Sequence, residues 1–228
     1  MTSGLLNTSD SYHCTWLARQ EALIASLRSQ PLLLVVRPAI KDLTGSSNLL
    51  IQLHDLHEAG LRHIELAWSS HSGWIPWVKQ VRQCCPRFQL AAASITAPMA
   101  LFDLQTLDFA YAMSPCWDPT LVSLARDQGI LLVPGVFSPT EVHQAVSFGC
   151  RLVKLFPAIT LGISYWNRLA APLGSLPFVI AAGGLTAHDL SNWLSAGYDA
   201  VALGHQTVGS DGVDPKLFTW LTQVSNLA

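Results

Sequence analysis

At 228 residues, 50% of them hydrophobic and only 12% charged, the chain can fill one large interior or two small domains, with about half the charge of an ordinary soluble domain. Its 13 basic and 15 acidic side chains leave a net charge of -2, which excludes the electrostatic footprint of a nucleic-acid or anionic-membrane binder. Cys14, Cys84, Cys85, Cys116 and Cys150 are odd in number and form no CxxC pair, so no disulfide framework or structural zinc site is expected, and a reducing, cytoplasmic setting is.

Residues 1–12 are polar and read as a frayed tail, without the basic start and apolar run of a signal peptide. No apolar stretch reaches the length of a bilayer span. Trp16, Leu17, Leu23, Ile24 and Leu27 recur near helical spacing, which predicts a helix over Thr15–Ser29 with Thr15 as N-cap and Pro31 as stop. Leu32–Arg37 is an apolar run ended by a charge, the pattern of a strand covered on both faces. A polar loop over 38–46 leads to a helix from Ser47 to Ala59 that carries Leu49, Leu50, Leu53 and Leu56 and is closed by Gly60. His63-Ile-Glu65-Leu66 is the second strand. After a helix over Gly73–Cys84, strand three spans Phe88–Ala92, where Ala91, Ala92 and Ala93 leave room for a ligand or a crowded interior. A helix from Pro98 to Leu104 follows, then strand four at Phe109–Met113, a helix over Pro119–Gln128 closed by Gly129, and strand five at Ile130–Val133. Ser138 caps a helix over Pro139–Phe148 that Gly149 ends, and Arg151–Leu155 is strand six. Helix Ser164–Ala170, strand Phe178–Ala181, helix Ala187–Ser195, strand Ala200–Leu203 and a last helix over Pro215–Val224 complete the order.

Eight strands thus alternate with helices. Strands joined through a helix are parallel, and their crossovers are right-handed. The pattern predicts an α/β chain folded as one (β/α)8 TIM barrel domain over residues 1–228, with the tail and N-terminal helix in 1–30 and the barrel from about residue 31. The rival open, doubly wound sheet would place glycines after strand one, where the chain has Arg37-Pro-Ala-Ile.

In such a barrel the chemistry sits at the C-terminal ends of the strands. Those ends are Arg37, Glu65, Ser94, Pro115, Pro134-Gly135, Lys154-Leu-Phe156, Gly183-Gly184 and Gly204-His205. Lys154 is set between Val153 and Leu155, and a lysine desolvated in this way holds the neutral amine that attacks carbonyls. The bland reading is a lysine that snorkels to water, with Arg37 and Glu65 in a structural ion pair. A lysine, an acid and an arginine at one mouth fit Schiff-base chemistry on a carbonyl compound. Lys154 attacks, Glu65 shuttles protons, Arg37 grips an anionic group and depresses the lysine pKa, and Ser94 is a neutral donor. Exposed N–H groups at Gly183, Gly184 and Gly204, beside His205, suggest a phosphate anchor, although paired glycines also serve tight turns. His54 and His57 lie three apart on an outer helix with no third ligand spaced for zinc, so neither metal nor cofactor is expected. Trp68, Trp74 and Trp77 fit core, interface or pocket wall equally.

The segments Gly60-Leu-Arg-His-Ile-Glu65-Leu, Met113-Ser-Pro115, Val133-Pro-Gly-Val-Phe-Ser-Pro-Thr-Glu141, Val153-Lys154-Leu-Phe-Pro-Ala158, Gly183-Gly184-Leu and Val201-Ala-Leu-Gly204, with Arg37, resemble the class I 2-keto-3-deoxy-6-phosphogluconate / 4-hydroxy-2-oxoglutarate aldolase family. The likeness covers about residues 30–210 and is most specific from Pro134 to Ala158. It implies a homotrimeric barrel that splits a small 4-hydroxy-2-oxo acid, phosphorylated or not, into pyruvate and an aldehyde without metal. By the same resemblance Lys154 is the Schiff-base residue, Glu65 the general acid/base and Arg37 a substrate-anion ligand. Ser94 replaces a threonine, and Phe156 and Pro115 form pocket wall. Three positions depart from the family pattern: Ser69 stands where a second arginine is usual, Ala182 replaces a threonine, and His205 follows Leu203-Gly204 in place of Gly-Gly-Ser. Two other readings accommodate these departures: a catalytically silent barrel that binds a small anion or a protein partner, and another lysine-dependent 2-oxo-acid lyase or decarboxylase.

Overall fold

The apolar runs become strands because both of their faces are covered, by the barrel interior on one side and helices on the other. They are β1 (Leu32–Val36), β2 (His63–Ala67), β3 (Gln89–Ala93), β4 (Tyr111–Met113), β5 (Leu132–Val133), β6 (Gly135–Val136), β7 (Leu152–Leu155), β8 (Phe178–Ala182) and β9 (Ala200–Leu203). The structure is a computed structural model that describes residues 8–45, 48–209 and 212–225; the side chains of residues 8–11, of His205 and of Ser225 fall outside that description.

All pairings among these strands are parallel, in the order β5-β4-β3-β2-β1-β9-β8-β7-β6. The two ends of that order are halves of one fifth strand, divided at Pro134, which has no N–H to give the ladder. Ser114 N–H bonds the Val133 carbonyl at 3.0 Å on one side, and Lys154 N–H bonds the Pro134 carbonyl at 2.9 Å on the other, so the ring closes. The fifth strand therefore runs later than the expected Ile130–Val133. Gly135 makes the closure possible: a Cβ there would lie 2.4 Å from the carbonyl carbon and oxygen of Pro115 and 2.7 Å from the Cys116 nitrogen.

Helix boundaries follow their caps. Ser138 Oγ accepts from Glu141 N–H, the Glu141 carboxylate accepts from Ser138 N–H, and Gly149 ends that helix (Pro139–Phe148) at φ 103°, as the sequence predicts. The N-terminal helix is longer than expected, Thr8–Ser29, which puts Thr15 inside it rather than at its cap. Its Trp16, Leu23 and Leu27 are buried, so packing extends the helix past the polar residues that suggested fraying. The helix expected over Ser47–Ala59 is Leu49–Glu58, its predicted start falling on residues outside the description. Extra helices occupy Ile40–Leu43 and Ala158–Leu161, and a small hairpin pairs Val208–Gly209 with Gly212–Val213. The helix expected over Ala187–Ser195 begins only at Leu190, because the Asp189 carboxylate captures the N–H and hydroxyl of Thr186 and holds the preceding turn.

Candidate active site

Strand alternation decides which side chains enter the barrel. Val35, Glu65, Ala91 and Tyr111 are paired in register across β1 to β4 and so share one face, and Lys154 enters from β7. Arg37, just past β1, donates from Nη2 to Ser94 Oγ at 3.2 Å. Ser94 is held at φ 64°, a left-handed conformation uncommon for serine and a form of backbone strain found at functional sites.

One cavity of about 210 Å³ gathers Arg37, Ser94, Pro115, Lys154, Phe156, Gly183, Gly184 and Gly204, with Val35, Ala93, Ala182 and Ala202 as its small apolar wall. Larger grooves of about 480 Å³ and 560 Å³ run along the opposite end of the barrel, lined by residues such as Arg62, Arg87 and Arg151; the nucleophilic side chain there, Cys150, is a buried thiol whose pKa burial pushes up to about 12, away from the reactive thiolate. A buried lysine beside an arginine and a serine marks the smaller cavity as the candidate site. Lys154 is 5% exposed, and its ammonium lies 5.6 Å from the Phe156 ring centre. Glu65 is fully buried, does not reach the cavity wall, and neither of its oxygens has a protein hydrogen-bond partner. Among the described residues it pairs with neither Arg37 nor Lys154 within 4 Å, which removes the structural ion pair as an account of Arg37 and Glu65.

Burial dominates the electrostatics. Desolvation pushes the Lys154 pKa down and the nearby Arg37 charge pushes the same way, while Glu65 opposes them. Desolvation pushes the Glu65 carboxyl up, and Lys154 partly offsets it. Both shifts run toward the neutral forms.

The glycines act through space as well as donors. A Cβ on Gly183 would sit 2.9 Å from the Phe156 ring and Pro157 Cα, and one on Gly184 would sit 2.4 Å from Ile159. Gly204 N–H is directed to the Leu185 carbonyl at 3.4 Å, and Thr186 N–H is held by Asp189. Gly183 and Gly184 remain as the backbone donors facing the cavity. The His205 side chain lies outside the described residues, so its place in the anchor is not part of the geometry.

Other sequence candidates resolve differently. Trp74 and Trp77 are core, and Trp74 Nε1 donates to the Ala67 carbonyl at 3.0 Å; Trp68 is half-buried, with Nε1 on Asp103 at 2.8 Å. A partner surface built on these tryptophans is thereby removed. His57 is bonded to Glu58 at 2.8 Å, and no group of three or more His, Cys, Asp or Glu side chains among the described residues is placed to hold a metal ion. Sequence reading missed the buried pair His63 and Tyr111 below Glu65. The alternation in His63-Ile-Glu65 was the available signal, since it points both side chains inward.

Known proteins place this geometry. The family model described as KDPG and KHG aldolase matches residues 23–224. A 2-dehydro-3-deoxy-phosphogluconate aldolase of Treponema pallidum is 29% identical over 119 residues, 52% of this chain and 56% of that protein, so the chain spans little more than half the length of that relative. The 2-keto-3-deoxy-6-phosphogluconate aldolase of Zymomonas mobilis, solved with 3-phosphoglycerate, superposes at TM-score 0.73 and 20% identity over 89% of this chain and 94% of that one. A Legionella pneumophila KDPG aldolase holding pyruvate as a covalent carbinolamine superposes at 0.69 and 18%, over 88% and 95%. At these identities the superpositions establish the fold alone, an α/β barrel. The family match covers nearly the whole chain, which therefore belongs to the KDPG and KHG aldolase family.

Proposed function

We propose that this chain is a class I, Schiff-base aldolase, a carbon–carbon lyase that reversibly cleaves a small 4-hydroxy-2-oxo acid to pyruvate and an aldehyde. The observation that carries the reading is a buried lysine, its pKa lowered, in a cavity it shares with the Arg37–Ser94 pair, while a buried acid enters the same barrel interior. Arg37 and Ser94 grip the substrate carboxylate, the arginine as a charged donor and the serine as a neutral one. The free amine of Lys154 adds to the 2-oxo carbon; Glu65, acting as an acid through one water, protonates the carbinolamine hydroxyl, which leaves as water to give the iminium and leaves Glu65 as the carboxylate. That carboxylate then takes the proton of the C4 hydroxyl through one water. The C3–C4 bond then breaks, its electron pair passing into the iminium to give the enamine of pyruvate, and the aldehyde leaves. Protonation at C3 and hydrolysis release pyruvate and restore Lys154.

Borohydride reduction in the presence of pyruvate, followed by peptide mass analysis, tests the reading. The expected result is a pyruvate-sized adduct on Lys154; an unlabelled Lys154, alongside a control aldolase that is labelled, would sink the mechanism and favour a silent anion-binding barrel. Arg37→Gln should raise KM for the 2-oxo acid about 10- to 100-fold, the loss of one charged hydrogen bond, with a smaller change in kcat. Steady-state kinetics check this.

The finer features are part of the same proposal: the chain works as a single barrel domain, and the substrate is held without metal or cofactor. Exposed apolar side chains at Phe137 (46%), Ile159 (49%) and Ile163 (38%) support an assembly of copies, read as a homotrimer and tested by analytical ultracentrifugation. The cysteines are all unpaired, in keeping with a reducing cytoplasm, and no described helix is long and apolar enough to cross a membrane.

A further inference from the structure

Below the lysine cavity the barrel holds titratable side chains that the proposed reaction does not use. His63 and Glu65 alternate on β2 and point inward one layer apart, about 6–7 Å along the strand. Tyr111 stands in the row of Glu65 with Ala91 between them, and that small side chain leaves the phenol room to cross β3 toward β2. The Tyr111 hydroxyl lies 3.3 Å from Nδ1 of His63. On the other side of the ring, Nε2 lies 2.9 Å from Oγ of Ser26, which the N-terminal helix brings to the barrel floor. Tyr111, His63 and Glu65 are each 1% exposed or less.

Hydrogen accounting gives this chain a direction. Gln89 Nε2 donates to Ser26 Oγ at 3.1 Å, and among the described residues the Ser26 hydroxyl has a single acceptor, Nε2 of His63. Burial keeps His63 neutral, its pKa lowered to about 4. A neutral ring that accepts at Nε2 carries its hydrogen on Nδ1 and donates it to the phenolic oxygen, an assignment that follows from the network. The Tyr111 hydrogen is then left without an acceptor, in the same row as a carboxyl whose two oxygens have no donor. Unpaired buried donors and acceptors are costly, and pairing this donor with this acceptor relieves both.

We propose that Tyr111, held by His63, is a positioning residue of the site: neither Glu65 oxygen has a hydrogen-bond partner in the structure, and the phenol hydroxyl turns to donate to the carboxylate when Glu65 ionises to serve Lys154. The assignment deepens the aldolase reading, on which the role of Glu65 rests. Around Glu65 the titratable and charged groups among the described residues are Lys154 from β7, Arg37 past β1, Tyr111 from β4 and His63 on β2 itself, with Arg62 acting on His63. Lys154 and Tyr111 both favour the ionised acid, so loss of the phenol hydroxyl leaves Glu65 harder to ionise.

The experiment titrates Glu65 directly. Glu21, Glu58, Glu65 and Glu141 are the glutamates of the chain, and carbon-13 labelling with Glu65→Gln as the assignment control isolates one carboxyl resonance. Tyr111→Phe removes one oxygen and keeps the ring. It should raise the Glu65 midpoint by about one pH unit and move the acidic limb of pyruvate C3 proton exchange upward by the same amount. His63→Leu should shift the midpoint in the same direction by releasing the phenol. A midpoint that stays put or falls in Tyr111→Phe overturns the assignment. Borohydride trapping on the unsubstituted protein separates the two questions: an unlabelled Lys154 removes the aldolase reading, while the glutamate titration still decides the place of Tyr111.

Discussion

Lys154→Met should abolish pyruvate trapping and lower aldol turnover on the order of 10⁴-fold or more, because no other described side chain in the cavity is an amine that can form the imine. The fold should survive. Lys154 is buried and its ionised form is disfavoured there, so an apolar chain of similar length replaces a group that is poorly solvated in the native state. The melting temperature should hold or rise by about 2–4 °C, the shift that a gain near 1 kcal/mol gives a chain of this size. Glu65 loses the cation that offsets its burial, so its carboxyl should titrate still higher than in the unsubstituted protein. Trapping, steady-state kinetics and a thermal melt on the same preparation check these results. Full turnover in Lys154→Met would move the nucleophile elsewhere and dissolve the mechanism.

Much of this site was legible from pattern alone. Alternation and strand termini are local properties, and they suffice to place Arg37, Ser94, Lys154 and the glycine pair on one rim once eight parallel strands are counted. What the pattern does not carry is anything fixed by a second element crossing the barrel. The start of the N-terminal helix depends on the burial of Trp16 against Phe148 and its neighbours, and the polar residues before it gave the opposite signal. The position of the fifth strand is set by its two partners, β4 and β7, which hold the chain on both sides of Pro134. The His63–Tyr111 contact joins residues 48 apart through the space above Ala91, a relation with no one-dimensional trace. Ser94 shows the intermediate case: its hydroxyl was identified, but the left-handed backbone that aims it is imposed by its surroundings.

The strand that closes the ring should also be its most sensitive point. Gly135→Ala should destabilise the protein by roughly 3 kcal/mol, a loss of roughly 6–12 °C in melting temperature. Conformational freedom is not the reason, since Gly135 is absent from the glycines with positive φ. Space is the reason. The added methyl would meet the backbone of Pro115 and Cys116 at 2.4–2.7 Å, and a backbone cannot rotate aside as a flexible side chain can. Relief requires the β5–β6 segment to move away from the loop after β4, which loosens the bonds from Lys154 N–H to Pro134 and from Phe156 N–H to Val136. Those bonds hold the strand that carries the reactive lysine, so turnover should fall along with stability. Gly204→Ala is the matched control: it lines the same cavity, but nothing lies within 4 Å of its added Cβ, and its melting temperature should stay within about 2–4 °C of the parent. Thermal melts of both variants decide the matter, because equal losses at the two positions would mean that close backbone approach at Pro115 does not govern barrel closure.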